Sequence, residues 1–428
     1  MSWARYLMLV GAVSVAAPAA AQPDGGSEAG WRQWGGPGRD FYIEDVGLGE
    51  SWPDQGPAEL WRRPLGPGHS SILVDQGRLF TMYRPGAEGE PWADEERVIA
   101  LDAATGQTLW EFGYASEPVN FRFGAGPHAT PLVVGPRLFT LGTNKQLHAF
   151  DKTSGDLLWS HDLVADFDAP PTLIRPAVKA GNGASPTAYR DLVIVPAGGP
   201  GQSVMAFSQS DGALVWRSGR FLISPSTPML VEVDGQTQLI VFGGETINGL
   251  DPETGDVLWT RGHATQGDMN NSTPIWGDDN ILVMASAYDG GTRALRLERR
   301  DQDTAIEELW FTSRLKVMFG NVVRRGDYLY ASSGDFGPAF LTAVDVHTGE
   351  VVWQERGYGR ASFVQAGEST VMLTEDGELV LGRLSPDGFT TRGRADVFET
   401  TAWTAPTLVG TTLYLRDRAE ILALDLGE

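Results

Sequence analysis

His69, His128, Asn271, Arg360 and Trp403 are chemically able residues that share one address: each stands at the head of a short apolar run. Gly183, Pro225 and Phe319 hold the same place in three further runs, which makes eight equivalent positions. Neighbouring residues add Asn120, Arg122, Phe123, Asn182, Asp268, Asn270 and Asn321. Imidazole, guanidinium, indole and amide groups converging on one place can hold a small polar or anionic ligand. The candidate ligand-binding set is therefore His69, Arg122, His128, Asn182, Asn271, Asn321, Arg360 and Trp403, with no residue assigned to catalysis. The competing expectation is a hydrated channel whose polar lining satisfies strand ends.

Other chemistry finds weaker support. His69 and His128 as zinc ligands would need a third partner, while His148, His161, His263 and His347 are scattered on other strands and turns. Residues 198–203 are Gly-rich but lack the Lys and the following helix of a phosphate loop, so they read as a hairpin turn. Asp94, Glu95 and Glu96 read as solvated acid, or as a loose cation site. No Gly-x-Ser-x-Gly sequence and no cysteine are present, which removes a nucleophile elbow, a thiolate metal site, disulfides and an N-terminal lipid anchor.

The elements that must position the candidates follow from a repeat. Ala-x-Asp, a polar turn, Gly, three residues and Trp recur at Trp110, Trp159, Trp216, Trp259 and Trp353, with a worn copy at Trp310. Such a period denotes an array of one small unit. In one unit, residues 130–134, 137–141, 146–151 and 157–160 alternate apolar and polar positions between Gly-containing turns, which predicts a four-stranded antiparallel meander. Eight units fit. The seventh, about 360–396, has lost the Gly–Trp phrase, and the eighth lacks a fourth strand that residues 59–63, with Trp61, can supply from the other end of the chain. The expected fold is all-β: an eight-bladed β-propeller over 58–428, closed by its N-terminal strand. The repeated Trp61, Trp110, Trp159, Trp216, Trp259, Trp310 and Trp353 are expected to be structural, wedged between blades with the indole N–H on a backbone carbonyl.

Arg5, the apolar stretch 6–17 and Ala19-Ala20-Ala21 resemble a cleaved signal peptide over 1–21, followed by an extended leader over 22–57. The expected location is periplasmic or secreted, without lipid and without a transmembrane segment. A formal charge of −22 argues against a nucleic-acid partner.

The phrase Ala-x-Asp-x-x-Thr-Gly-x-x-x-Trp, with the leader Trp31-Arg32-Gln33-Trp34-Gly35-Gly36-Pro37-Gly38, resembles the pyrroloquinoline-quinone (PQQ)-like propellers over essentially the whole mature chain. That resemblance implies the fold but leaves two functions open. Some members are quinone-dependent alcohol or sugar dehydrogenases, in which PQQ and Ca²⁺ sit on the propeller axis. Here Trp403 would supply the floor and Asn182, Asn270, Asn271 and Asn321 the oxygens, but the adjacent Cys pair is missing and no Glu or Asp joins the set. Others are exported scaffolds of outer-membrane assembly. The reading favoured is a monomeric, non-catalytic scaffold with no cofactor, binding an envelope protein or a small polar ligand at the channel mouth.

Overall fold

The computed structural model describes residues 30–427 apart from 54, 88–90, 120–123, 125, 173–179 and 302. The expected signal peptide therefore lies outside the described residues. Eight sheets form the ring, each of four antiparallel strands, one of them extended by a short parallel fifth strand. Among the described residues the sole helix is Leu163–Phe167, and no helix is long and apolar enough to cross a membrane.

Each blade runs outward from the axis. In blade 2 the strands are Leu132–Val134, Arg137–Leu141, Gln146–Asp151 and Leu157–Asp162, close to the bounds read from the sequence. The inner strands read as continuous apolar runs because neighbouring blades cover both of their faces; Leu192–Pro196 of blade 3 is buried throughout. Blade 8 closes as expected: Ala58–Pro64 pairs antiparallel with Glu420–Asp425, Ala58 opposite Asp425.

The repeated phrase is a packing device. Its Asp caps the outer turn, as where Asp151 Oδ1 accepts from the backbone amides of Thr153 and Ser154 at 2.8 and 3.0 Å. Its Ala lies directly across from Trp, as in Ala100 with Trp110 and Ala343 with Trp353, and a bulge precedes each of those Trp residues. The indole reaches the next blade. Trp61, Trp110, Trp159, Trp216 and Trp310 donate to the carbonyls of Ala103, Lys152, Gln209, Pro252 and Val346 at 2.7–3.3 Å. Trp353 does the same with Ser385.

The Gly of the phrase has a second duty that the sequence reading assigned to turn geometry alone. Gly349 has φ +73°, and a Cβ there would lie 2.6 Å from the Trp310 ring of the preceding blade; Gly106 and Gly155 meet Trp61 and Trp110 in the same way. Trp259 is the exception. Blade 5 has no such Gly, so this indole turns to Gln238 Oε1 at 2.8 Å within its own blade. A Cβ at position 249 would lie 2.1 Å from its Nε1, which explains why Gly249 replaces the usual Ala.

The leader is woven into the ring. Trp31 exchanges backbone hydrogen bonds with Val74 of blade 1, and Arg32 O accepts from Val133 of blade 2. Trp34 Nε1 donates to Thr273 Oγ1 of blade 5 at 2.7 Å. Tyr42–Ile43 pairs parallel with the last residues of Ala361–Ala366 in blade 7, and Gly49 N donates to Leu426 O of blade 8. Trp31 and Phe41 are almost fully buried by this path. Except for that of Trp34, which meets Thr273 two residues ahead of its inner strand, these contacts lie toward the C-terminal ends of the strands, opposite the end where the candidate residues stand.

Candidate axial site

A cavity of about 1060 Å³, its solvent-filled mouth included, occupies the axis at the heads of the inner strands. Seven of the eight equivalent positions line it: His69, His128, Gly183, Pro225, Asn271, Phe319 and Trp403. Asn182 lines it too, and Trp34 enters from the leader side. Val119, Met269, Met318 and several glycines complete a wall that is more apolar than the sequence suggested.

The aromatic part is continuous. Phe319 stacks on Trp403 with ring centroids 4.2 Å apart, His69 lies 5.2 Å from Trp403, and His128 meets His69 edge-on at 4.9 Å. The Arg418 guanidinium sits 4.8 Å from the Trp403 ring centroid, and its Nε approaches His69 Nε2 at 3.4 Å. Burial pushes the His128 imidazole down to about 4, the Gly124 backbone partly opposing this and the nearby Arg418 and Arg416 charges adding to it. His128 is therefore neutral at pH 7.

Arg360 does not line the cavity. Its guanidinium donates to Glu375 Oε1 at 2.8 Å, and Glu375 Oε2 accepts from Trp403 Nε1 at 3.2 Å. It positions Trp403 through that carboxylate. Asn321 is spent on joining blades 6 and 7, its amide donating to Phe363 O at 3.0 Å and accepting from Phe363 N at 2.8 Å. Asn182 faces the cavity but bonds Ala184 O and N at 3.0 and 3.3 Å. Asn271 donates weakly to Met318 O at 3.4 Å, and among the described residues its buried Oδ1 accepts no hydrogen bond. Arg122 lies outside the described residues, as do Asn120 and Phe123.

One expectation is overturned. Glu96 is neither solvated acid nor part of a loose cation site: it is fully buried, 3.0 Å from the equally buried Arg84. It also accepts from Tyr114 Oη at 2.8 Å and Thr143 N at 3.1 Å, which satisfies the carboxylate and ties blade 1 to blade 2. Burial and that carboxylate raise the Tyr114 hydroxyl pKa, so it stays protonated.

Two arginines were missed by reading only strand heads. Arg416 and Arg418 lie at the turn between the second and third strands of blade 8, which reaches the same end of the ring. The signal was a basic pair where blades 2 and 3 carry Gly142 and Gly198. Arg416 is fully buried and bonds Met82 O, Gly66 O and Thr81 Oγ1 at 2.7, 3.0 and 3.2 Å. Burial lowers its pKa to about 10, with Asp417 opposing.

Among the described residues the donors do not fit a calcium-bound quinone. No carboxylate lines the cavity among the described residues, and no described group of three His, Cys, Asp or Glu side chains could hold a metal. Trp403 already carries Phe319, His69 and Arg418 against its ring, so it offers no clear floor.

A family model described as outer membrane protein assembly factor BamB matches residues 94–355. The BamB of Yersinia pestis is 24% identical over 205 residues, 45% of this chain and 47% of that protein, so the match spans about half of the curated relative. The crystal structure of BamB from Moraxella catarrhalis superposes with a TM-score of 0.58 at 16% identity, covering 86% of this chain and 97% of that one. The quinohemoprotein alcohol dehydrogenase of Comamonas testosteroni gives 0.59 at 12% identity, covering 94% and 81%. At such identities both superpositions speak to fold alone.

Proposed function

The chain belongs to the family of the outer membrane protein assembly factor BamB, and from that premise we propose that it is a non-catalytic scaffold of the periplasm that binds a protein partner. The observation that carries this reading is how the ionisable groups around the axis are used. Glu96, Glu375 and Arg360 are each locked to a neighbour, and His128 is buried and neutral. His263 Nε2 lies 3.1 Å from Ser286 Oγ, but both are buried and neither lines the cavity, and no carboxylate faces the cavity among the described residues. What the ring offers instead is loops around a largely apolar well, the arrangement that suits gripping another protein.

The test is affinity capture with the full chain from detergent-solubilised envelope, followed by crosslinking of the recovered complex. A reproducible, stoichiometric partner is expected. Replicates that return none would sink the reading, as would quinone-dependent dye reduction by the purified protein supplied with PQQ and Ca²⁺.

A further inference from the structure

The leader carries a cation that the propeller does not neutralise. Its residues 33–41 double back on themselves, Phe41 N donating to Gly35 O at 2.8 Å and Arg39 N to Gly36 O at 3.2 Å. The turn holds Arg39 and Phe41 at φ of 59° and 60°, a left-handed backbone that bulky side chains seldom adopt. Such strain persists only where the surroundings impose it, and it collects at binding sites. The Arg39 guanidinium spends Nε on Gln33 Oε1 at 2.9 Å, while its Nη1 is buried and meets no acceptor among the described residues. Burial alone lowers its pKa, to about 10, so it stays charged at neutral pH. The adjacent Asp40 carboxylate accepts instead from Tyr42 N at 3.1 Å. Other buried cations are matched: Arg84 meets Glu96, and Lys152 meets Asp75. A buried guanidinium without a counter-charge is costly, and an anion arriving beside it relieves that cost.

Arg39 borders two small cavities beside blades 3 to 6, of about 250 and 280 Å³ with their mouths included. The first also presents Thr227 and Thr273. Thr227 Oγ1 accepts from Ser185 N at 3.0 Å and Thr273 Oγ1 from Trp34 Nε1 at 2.7 Å, so among the described residues each hydroxyl still has its own hydrogen to donate. We propose that the cavity between Arg39, Thr227 and Thr273 is a binding site for a small monovalent anion of the chloride kind. One guanidinium supplies one positive charge, and two hydroxyls complete the donor set. Organic ligands usually occupy about 300–1,000 Å³, more than this cavity walled by Pro186, Pro228 and Met229 offers. An anion there ties the leader to blades 4 and 5, which contribute Thr227 and Thr273. It also gives Gly38-Arg39-Asp40 of the leader a duty that the blade repeat leaves unexplained. The site stands apart from the partner-binding reading and does not rest on it.

The test uses the full chain, exchanged into sodium gluconate and titrated with sodium chloride at constant ionic strength. Chlorine NMR should show line broadening that saturates. The melting temperature should rise with the logarithm of chloride concentration once that exceeds the dissociation constant. Bromide should substitute for chloride, and the bulky gluconate should not. Arg39→Gln should return the line width to that of the free ion and make melting indifferent to the anion. Arg39→Lys, which keeps the charge but loses the planar fork, should bind about tenfold more weakly. A native circular dichroism spectrum in gluconate establishes that each variant is folded. Should Arg39→Gln fail to fold, Arg39→Lys decides, and an affinity equal to that of the parent overturns the proposal. So does the absence of saturable broadening, equal melting in chloride and gluconate, or a chloride effect that survives Arg39→Gln.

Discussion

At the rim, Trp310 is 8% exposed, donates to Val346 O at 2.7 Å and presses on Gly349 of the next blade. At the axis, Trp403 is only partly buried, stacks on Phe319 and opens onto a cavity. One residue type does two jobs because its surroundings differ. Where the same contact recurs in blade after blade, it holds the ring together. Where each blade contributes a different side chain, the axis acquires a surface of mixed chemistry.

Substitutions that separate stability from recognition should break that contrast or sharpen it. The largest effect is expected for Trp310→Ala, which empties an inter-blade seat and should lower the unfolding free energy by about 3–5 kcal/mol in urea titrations. Next comes Gly349→Ala, at about 2–4 kcal/mol, since a methyl group meets both a positive φ and an indole. Its control is Gly135→Ala, where φ is +54° but nothing lies within 4 Å; about 1 kcal/mol is expected. Equal losses at the two glycines would remove the seat from the argument.

Acid should act on buried rings wherever they lie. His128, His148 and His263 are all pushed by burial from 6.5 to about 4. Between those values the unfolded chain takes up protons that the folded chain refuses, so stability present above pH 6.5 is lost as pH falls toward 4. Each ring contributes up to about 1.4 kcal/mol per pH unit in that window. His128→Asn should flatten the stability–pH profile by one such increment, and an unchanged slope would count against a neutral, buried His128. A smaller loss than that of Trp310→Ala is expected for Trp403→Ala, under about 2 kcal/mol because this indole is only partly buried. A loss matching that of Trp310→Ala would erase the distinction between rim and axis.

The blade count and seven of the eight axial positions were legible because they follow from a local pattern, a short phrase and the strand that comes after it. What escaped depended on contacts far apart in sequence. Glu96 looked solvated because its partner Arg84 sits across a loop and Thr143 belongs to another blade. Arg360 looked like a ligand group because nothing in the sequence tied it to Glu375. Arg418 reaches His69 across 349 residues of chain. Gly249 was visible as a deviation, but its reason, an indole turned toward its own blade, needed the three-dimensional register.

The path of the leader also sets an order of assembly. Residues 31–49 are made early, yet Thr273, Gln365 and Leu426, which hold them, are made hundreds of residues later. Trp31 and Arg32 meet blades 1 and 2, but the segment as a whole can be seated only after the last blade has arrived. Trp34 also lines the axial cavity, so the cavity wall is complete only once the leader is in place. Any ligand retained at the axis is thus retained only by a finished molecule.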